Sequence, residues 1–176
     1  MIILQFLIIT FFVSCEEIGK MVEEKETTVD TEFYEMDFVV EETDRNGFHI
    51  FSEEFFSNNI SSLLSTMGLT EDKVEAVIIK EAQVSLIEAQ NYEDFRIMRF
   101  IELTVYTDSL GDTKIAWSDP IPKDQSTVSL DLSDENILPY FREDNFILTA
   151  QGYLEQRIYG DMKLHAKVKF MVRAKP

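Results

Sequence analysis

From Phe33 onward the chain alternates apolar and polar residues in short runs. Tyr34, Met36, Phe38 and Val40 fall on one face, with Glu35, Asp37 and Glu41 on the other. Alternation with a period of two marks a strand buried on one side. Residues 77–88 are rich in Val and Ile, and Ala82, Val84 and Leu86 alternate with Gln83 and Ser85. In 95–107, Ile101, Leu103 and Val105 oppose Glu102 and Thr104. Asp108 to Asp112 reads as a hairpin loop, with Lys114 to Trp117 as the return strand. Val128, Leu130 and Leu132 predict a further strand, and Phe146, Leu148, Ala150, Gly152 and Leu154 another. The last strand is the most regular. Met162, Leu164, Ala166, Val168, Phe170 and Val172 point inward, while Lys163, His165, Lys167, Lys169 and Arg173 point outward. Asn46-Gly47 and Gly160-Asp161 mark turns.

One segment changes period. Phe51, Phe55, Phe56, Ile60, Leu63, Leu64 and Met67 recur at helical spacing and predict an amphipathic helix over 52–67. Ser52 is its expected N-cap, Glu53 and Glu54 suit its first turn, and Gly68 is its stop. Single turns are expected at Thr70–Lys73 and from Ser133 through Tyr140, the second kept short by Pro139. About seven strands, short turns and one sizeable helix predict a mainly β fold. The expected form is an antiparallel β-sandwich, immunoglobulin-like or related, with one amphipathic helix inserted after the first strand. A single antiparallel sheet with the helix on one face is the alternative.

The first fourteen residues, MIILQFLIITFFVS, carry no charge. A membrane-spanning helix needs about 20 apolar residues. The run is shorter than that and suits the apolar core of a secretory signal. A buried N-terminal strand or helix is the other option. The run stops at Ser14 and Cys15, directly before Glu16 and Glu17.

Phe12-Val13-Ser14-Cys15 resembles the lipobox of bacterial lipoproteins. Phe12 stands where that family usually has Leu, and no Lys or Arg precedes the apolar run. The resemblance implies that the Cys15 sulfur carries diacylglycerol and that Cys15 becomes the first residue after cleavage. This covalent lipid is the one non-protein group expected; no cofactor is. Acidic residues directly after the cysteine also resemble the export tether of surface lipoproteins in the Bacteroidota. Residues 16–32 hold seven acids and two bases, a composition that stays solvated. The expected organisation is a signal peptide over 1–14, an acidic tether from lipidated Cys15 over 15–32, and one domain over 33–176. The resemblance places the chain in the cell envelope, at the outer membrane, with the membrane as a partner through the anchor.

Charge narrows the remaining options. The 176 residues carry 33 acids against 16 bases, a net charge of -17. Such a field repels phosphate backbones and argues against nucleic acid as a partner. A single cysteine rules out an internal disulfide framework. His49 and His165 are the only histidines, and neither has partners at the spacing of a metal site or a triad. Asp108, Asp112 and Asp124 are hard oxygen donors of the kind calcium takes, but turn chemistry accounts for them. No nucleophile elbow or phosphate cradle is present. A non-enzymatic role is therefore expected.

Two groups are candidates for binding. Lys163, Lys167 and Lys169 form a basic stripe suited to an anionic glycan. The competing explanation is cross-strand pairing with Glu35, Asp37 and Glu41, which requires the first and last strands to be neighbours. Trp117, followed by Asp119-Pro120-Ile121-Pro122, is a platform for a sugar ring. The expectation is a lipid-anchored envelope protein with a binding or structural role and a glycan or protein partner. The alternatives are a glycan-binding surface lipoprotein and a carrier of an apolar ligand under the 52–67 helix.

Overall fold

The alternating stretches are strands. The computed structural model describes residues 26–175; the expected signal peptide, Cys15 and the tether up to residue 25 lie outside the described residues. Among the described residues the strands are β1 (Thr27–Asp30), β2 (Tyr34–Val40), β3 (Gly47–Ser57), β4 (Val74–Ala89) and β5 (Met98–Thr107). They continue as β6 (Gly111–Ser118), β7 (Thr127–Ser129), β8 (Asp131–Leu132), β9 (Asn145–Leu154) and β10 (Met162–Ala174). One helix, α1 (Ile60–Ser65), and 3₁₀ turns at Glu71–Lys73 and Tyr140–Arg142 complete the described elements.

The strands form two antiparallel sheets. The first runs β1-β10-β4-β7, with β2 also on β10; the second runs β3-β9-β5-β6-β8. β2 and β1 share one edge of β10 in succession, β2 against Met162–Val168 and β1 against Met171–Ala174. Thr31 closes the gap between them. Its N–H donates to the Phe170 carbonyl at 2.9 Å, and its Oγ1 accepts from the Phe170 N–H at 3.0 Å. Thr27–Asp30 falls inside the stretch expected to be tether. None of its residues is fully buried, and its backbone pairs with the edge that β10 offers.

The helix expected over 52–67 does not form. Residues 47–57 are the edge strand β3, paired with β9, and α1 holds only six residues. The misreading has a physical cause. A bulge between Ile50 and Ser52 inserts Phe51 as an extra residue, which shifts the phase of the alternation. Phe51, Phe55 and Phe56 then imitate helical spacing while lying on a strand. Aromatic residues also favour strands. Glu54 keeps the core-facing phase at this edge, half-buried, and an inward charge and a bulge both discourage pairing with another chain. The helix starts later, where Asn58 Oδ1 accepts from the Ile60 N–H at 2.9 Å.

Two further differences concern turns. The expected strand at Val128–Leu132 is split between the sheets, β7 pairing with β4 and β8 with β6. The crossing is at Leu130, whose N–H donates to the Ala82 carbonyl at 2.9 Å. Ser133 caps no helix; its Oγ accepts from the Glu135 N–H at 3.1 Å, and the 3₁₀ turn begins only at Tyr140, after Pro139.

Both sheets supply one buried apolar cluster. At one end it is aromatic. Tyr34 on β2 has ring centroids at 5.4 Å from Phe56 on β3, 5.4 Å from Phe146 on β9 and 5.5 Å from Phe170 on β10. Phe141, on the second 3₁₀ turn, lies 4.7 Å from Phe146 and 4.9 Å from Phe170. Edge-to-face pairs of this kind contribute about 0.5–1.5 kcal/mol each beyond burial. The Tyr34 hydroxyl donates to Asn59 Oδ1 at 2.7 Å, so the same ring fixes the residue before α1.

Burial pushes the Tyr34 phenol from 10.0 up to about 12. The neutral phenol is the form the fold holds. As pH rises from 10 towards 12, the unfolded chain ionises at this position first, and stability falls. In urea titrations at a series of pH values, Tyr34→Phe should be the less stable protein at neutral pH, by about 1 kcal/mol for the lost hydrogen bond. The gap to wild type should narrow between pH 10 and 12. A gap independent of pH contradicts a buried phenol.

Candidate functional site

The outer face of the first sheet carries the basic stripe, and β2 and β10 are neighbours, as the charge pattern requires. In register, Asp37 lies opposite His165 and Glu35 opposite Lys167. The Asp37 carboxylate is 2.7 Å from His165 Nδ1. The lysines turn mainly to the other neighbour, β4. Lys163 reaches Glu88 at 2.5 Å and Lys167 reaches Glu81 at 3.7 Å. Glu88 holds the Lys163 ammonium above the ordinary lysine value. Lys167 and Lys169 also lie over the Phe33 ring, 4.8 and 4.0 Å from its centroid. The stripe is thus engaged within its own sheet by carboxylates and by an aromatic face.

Trp117 is elsewhere. It is on β6 in the second sheet, so the structure does not bring it together with Lys163, Lys167 and Lys169. The outer face of that sheet is ordered in rows that follow the strand register. The first row is Phe48, Tyr153 and Phe100 on β3, β9 and β5. The second is Ile50, Gln151, Glu102 and Trp117, ending at Asp131 on β8. The third is Glu53, Thr149, Thr104 and Lys114. The fourth is Phe55, Ile147, Tyr106 and Asp112. Bulges keep the rows in phase. Phe51 is the extra residue between Ile50 and Ser52, and Ile115 the extra one between Lys114 and Ala116. Without the second bulge, Lys114 and Trp117 would face opposite sides.

This face is unusually apolar for a solvent-facing surface. Phe48, Ile50 and Phe55 are 54%, 58% and 75% exposed. Phe100 lies 6.5 Å from Phe48 and 6.2 Å from Tyr153, ring centroid to centroid. Polar groups are set among these residues. Gln151 Nε2 donates to Glu102 Oε1 at 2.7 Å, Lys114 stands 3.8 Å from the other Glu102 oxygen, and the Lys114 ammonium lies 4.8 Å over Trp117. The third row is low at its centre. Its threonines Thr104 and Thr149 face outward yet are buried, because larger residues rise on either side. The result is a trough of about 480 Å³ lined by Ile50, Glu53, Tyr106, Asp112, Ile147 and Gln151 over a threonine floor. A second cleft of about 430 Å³, with Phe55, Asp108 and Glu143, shares Tyr106 and Ile147 with it.

The loop after Trp117 is less open than the sequence implies: Ile121 is buried, and its N–H donates to the Arg99 carbonyl at 2.8 Å. Near α1 there is an open cleft of about 190 Å³ whose lining includes Glu71, Asp72 and Arg142. The buried carboxylate Asp94 is held by Arg96, through its backbone N–H at 2.8 Å and through Nε and Nη2 at 2.9 and 2.8 Å. These bonds keep the Asp94 carboxyl below the ordinary carboxylate range and lock the loop between β4 and β5. His49 lines a cleft with Glu41, Glu42 and Thr43. Among the described residues, no group of three or more His, Cys, Asp or Glu is placed to hold a metal ion.

Of the residues on this face, sequence reasoning singled out Trp117 alone for binding. The signal was present in runs that are apolar on both phases. In β9, Phe146, Leu148 and Ala150 fill the core phase, while Ile147 and Tyr153 occupy the outward phase. No protein-family model matches the chain, and no curated protein matches it.

The basic stripe yields a stability test. Reversing Lys167 and Lys169 to Glu places like charges beside Glu35 and Glu81 and removes both cations from Phe33. Cross-strand pairs are worth roughly 0.2–1 kcal/mol each. The double variant should melt several degrees lower by calorimetry at low salt, and less so at high salt. An unchanged melting temperature contradicts the pairing.

Proposed function

We propose that this is a lipid-anchored protein of the cell envelope, held at the outer membrane through Cys15. Its two sheets form an antiparallel β-sandwich, immunoglobulin-like or related, and the outer face of the second sheet binds a glycan without catalysing a reaction. The sandwich is supported by the single core to which both sheets contribute. The anchor is supported by the uncharged run that ends at Ser14-Cys15 and by the acidic residues after it. Each buried CH₂ contributes about 0.8 kcal/mol and stable anchoring takes two chains, which a diacylglyceryl group supplies.

The observation that favours a glycan is the row structure of the second sheet. Sugars present C–H faces and a rim of hydroxyls. The C–H faces suit aromatic rings such as Trp117, Tyr106 and Phe100. The hydroxyls need donors and acceptors side by side, and the Gln151–Glu102 pair offers both within 2.7 Å. Engaged within its own sheet, the stripe of Lys163, Lys167 and Lys169 is less suited to an anionic glycan than a free one. The apolar-carrier alternative loses its roof, because residues 52–57 belong to β3 and α1 has only six residues.

Anchor and ligand face are tested separately. Cys15→Ser should move the protein from the membrane fraction to the soluble fraction and abolish labelling by fatty-acid analogues; retained labelling contradicts the anchor. Trp117→Ala, checked for an unchanged fold by circular dichroism, should weaken retardation in gels containing neutral polysaccharides several-fold. Equal retardation of variant and wild type contradicts a ligand face on the second sheet.

A further inference from the structure

The trough on the second sheet has a shape, a direction and a charge. From these we infer that its ligand is a stretch of uncharged oligosaccharide, several sugars long, lying across the strands from Glu53 over the Thr149 and Thr104 floor towards Asp112. This rests on the glycan function proposed above and adds the ligand's class, length and orientation.

Direction comes from the register. The lining reaches from Glu53 on β3 through Thr149 on β9 and Thr104 on β5 to Asp112 on β6. Neighbouring strands are about 4.8 Å apart, so three steps make a trough roughly 14 Å long. One pyranose ring fills only part of that length. Its volume of about 480 Å³ lies within the roughly 300–1,000 Å³ of small-ligand sites. The walls differ in height from the floor because threonine is smaller than Ile50, Gln151, Ile147 or Tyr106. The floor offers hydroxyls, and the walls offer aliphatic and aromatic faces. A ligand that matches must alternate hydroxyls with C–H surface along its length.

Other occupants fit less well. An acyl chain would leave Glu53, Asp112 and Gln151 facing hydrocarbon, which is costly for polar groups. An extended peptide would add to a sheet edge to pair its backbone, but the floor belongs to β9 and β5, both flanked on each side by other strands. Charge excludes the anionic classes. Glu53 and Asp112 line the trough, and Lys114, in register with Thr104, is drawn to Glu102 and over Trp117. A uronate or sulfate in the trough would face carboxylates.

The test uses the chain from Cys15 onward without its lipid, as Cys15→Ser, in isothermal titration calorimetry. The ligands are gluco-, xylo- and manno-oligosaccharides of one to six sugars, with polygalacturonate as the anionic probe. The expected result is binding to an uncharged series, with affinity rising at least tenfold from one sugar to the plateau length and no heat from polygalacturonate. Thr104→Phe fills the floor and should abolish this binding at an unchanged melting temperature. Should that variant fold poorly, Thr149→Val removes a floor hydroxyl at almost constant volume and should weaken the longer oligomers at least threefold. If a single sugar binds as tightly as a hexamer, or neither floor variant changes affinity, the trough assignment is overturned while the glycan function stands. If polygalacturonate is the ligand bound, the inferred charge class is overturned. If no sugar of any length binds, both fall.

Discussion

The ring of Tyr34 holds the two sheets in register with each other. It is one residue on β2, yet it packs against Phe170 in its own sheet and against Phe56 and Phe146 in the other. Phe141 closes the group from the second 3₁₀ turn. The hydroxyl is spent on Asn59, so the burial of a polar atom is compensated. The trough itself is set by register within the second sheet, and this contact ties its edge strand to the first sheet. β3 is an edge strand with β9 as its ladder partner, and Phe56 packed beneath Tyr34 is one of the contacts that keep its outward row of Phe48, Ile50, Glu53 and Phe55 aligned with β9 and β5.

The two sheets solve the problem of an outer surface differently. On the first sheet, long charged side chains lie over the strands and pair with each other. His165 meets Asp37, Lys163 meets Glu88, and Lys167 meets Glu81 while sharing Phe33 with Lys169. That face closes on itself. On the second sheet the outward phase is aromatic and aliphatic, with polar groups held in fixed places among the rings. Contiguous exposed apolar patches mark interaction surfaces, ligand grooves or aggregation liabilities. The arrangement of these residues in rows beside a hydroxyl-floored trough is the physical basis for assigning a ligand to that face.

Much of the fold was legible in the sequence, and each failure has its own physical cause. β2 and β10 alternate along their whole length, and β5 and β9 alternate over enough of theirs to be read as strands. The pairing of β2 with β10 was legible too, from opposite charges on their outward faces. β3 was not. A bulge at Phe51 breaks the period of two, and an exposed Phe55 beside a packed Phe56 looks like a helix face. β1 was hidden for a different reason: it has almost no apolar pattern, and its backbone pairs with the edge it joins. The split of Val128–Leu132 between sheets rests on long-range bonds from Leu130 and Ser133 that no local pattern reports. Of the candidate site, only Trp117 was picked out beforehand. The trough is a product of register across four strands, and its two threonines are ordinary residues until that register sets them side by side.

Trp117 is the chain's only tryptophan and stands on the row that walls the trough, so its own emission reports on the face directly. Titration of the soluble protein with a neutral oligosaccharide mixture should shift that emission to shorter wavelength, protect it from collisional quenching by acrylamide, and saturate. Emission and quenching that stay constant while the sugar binds would put the ligand elsewhere and contradict the assignment of this face.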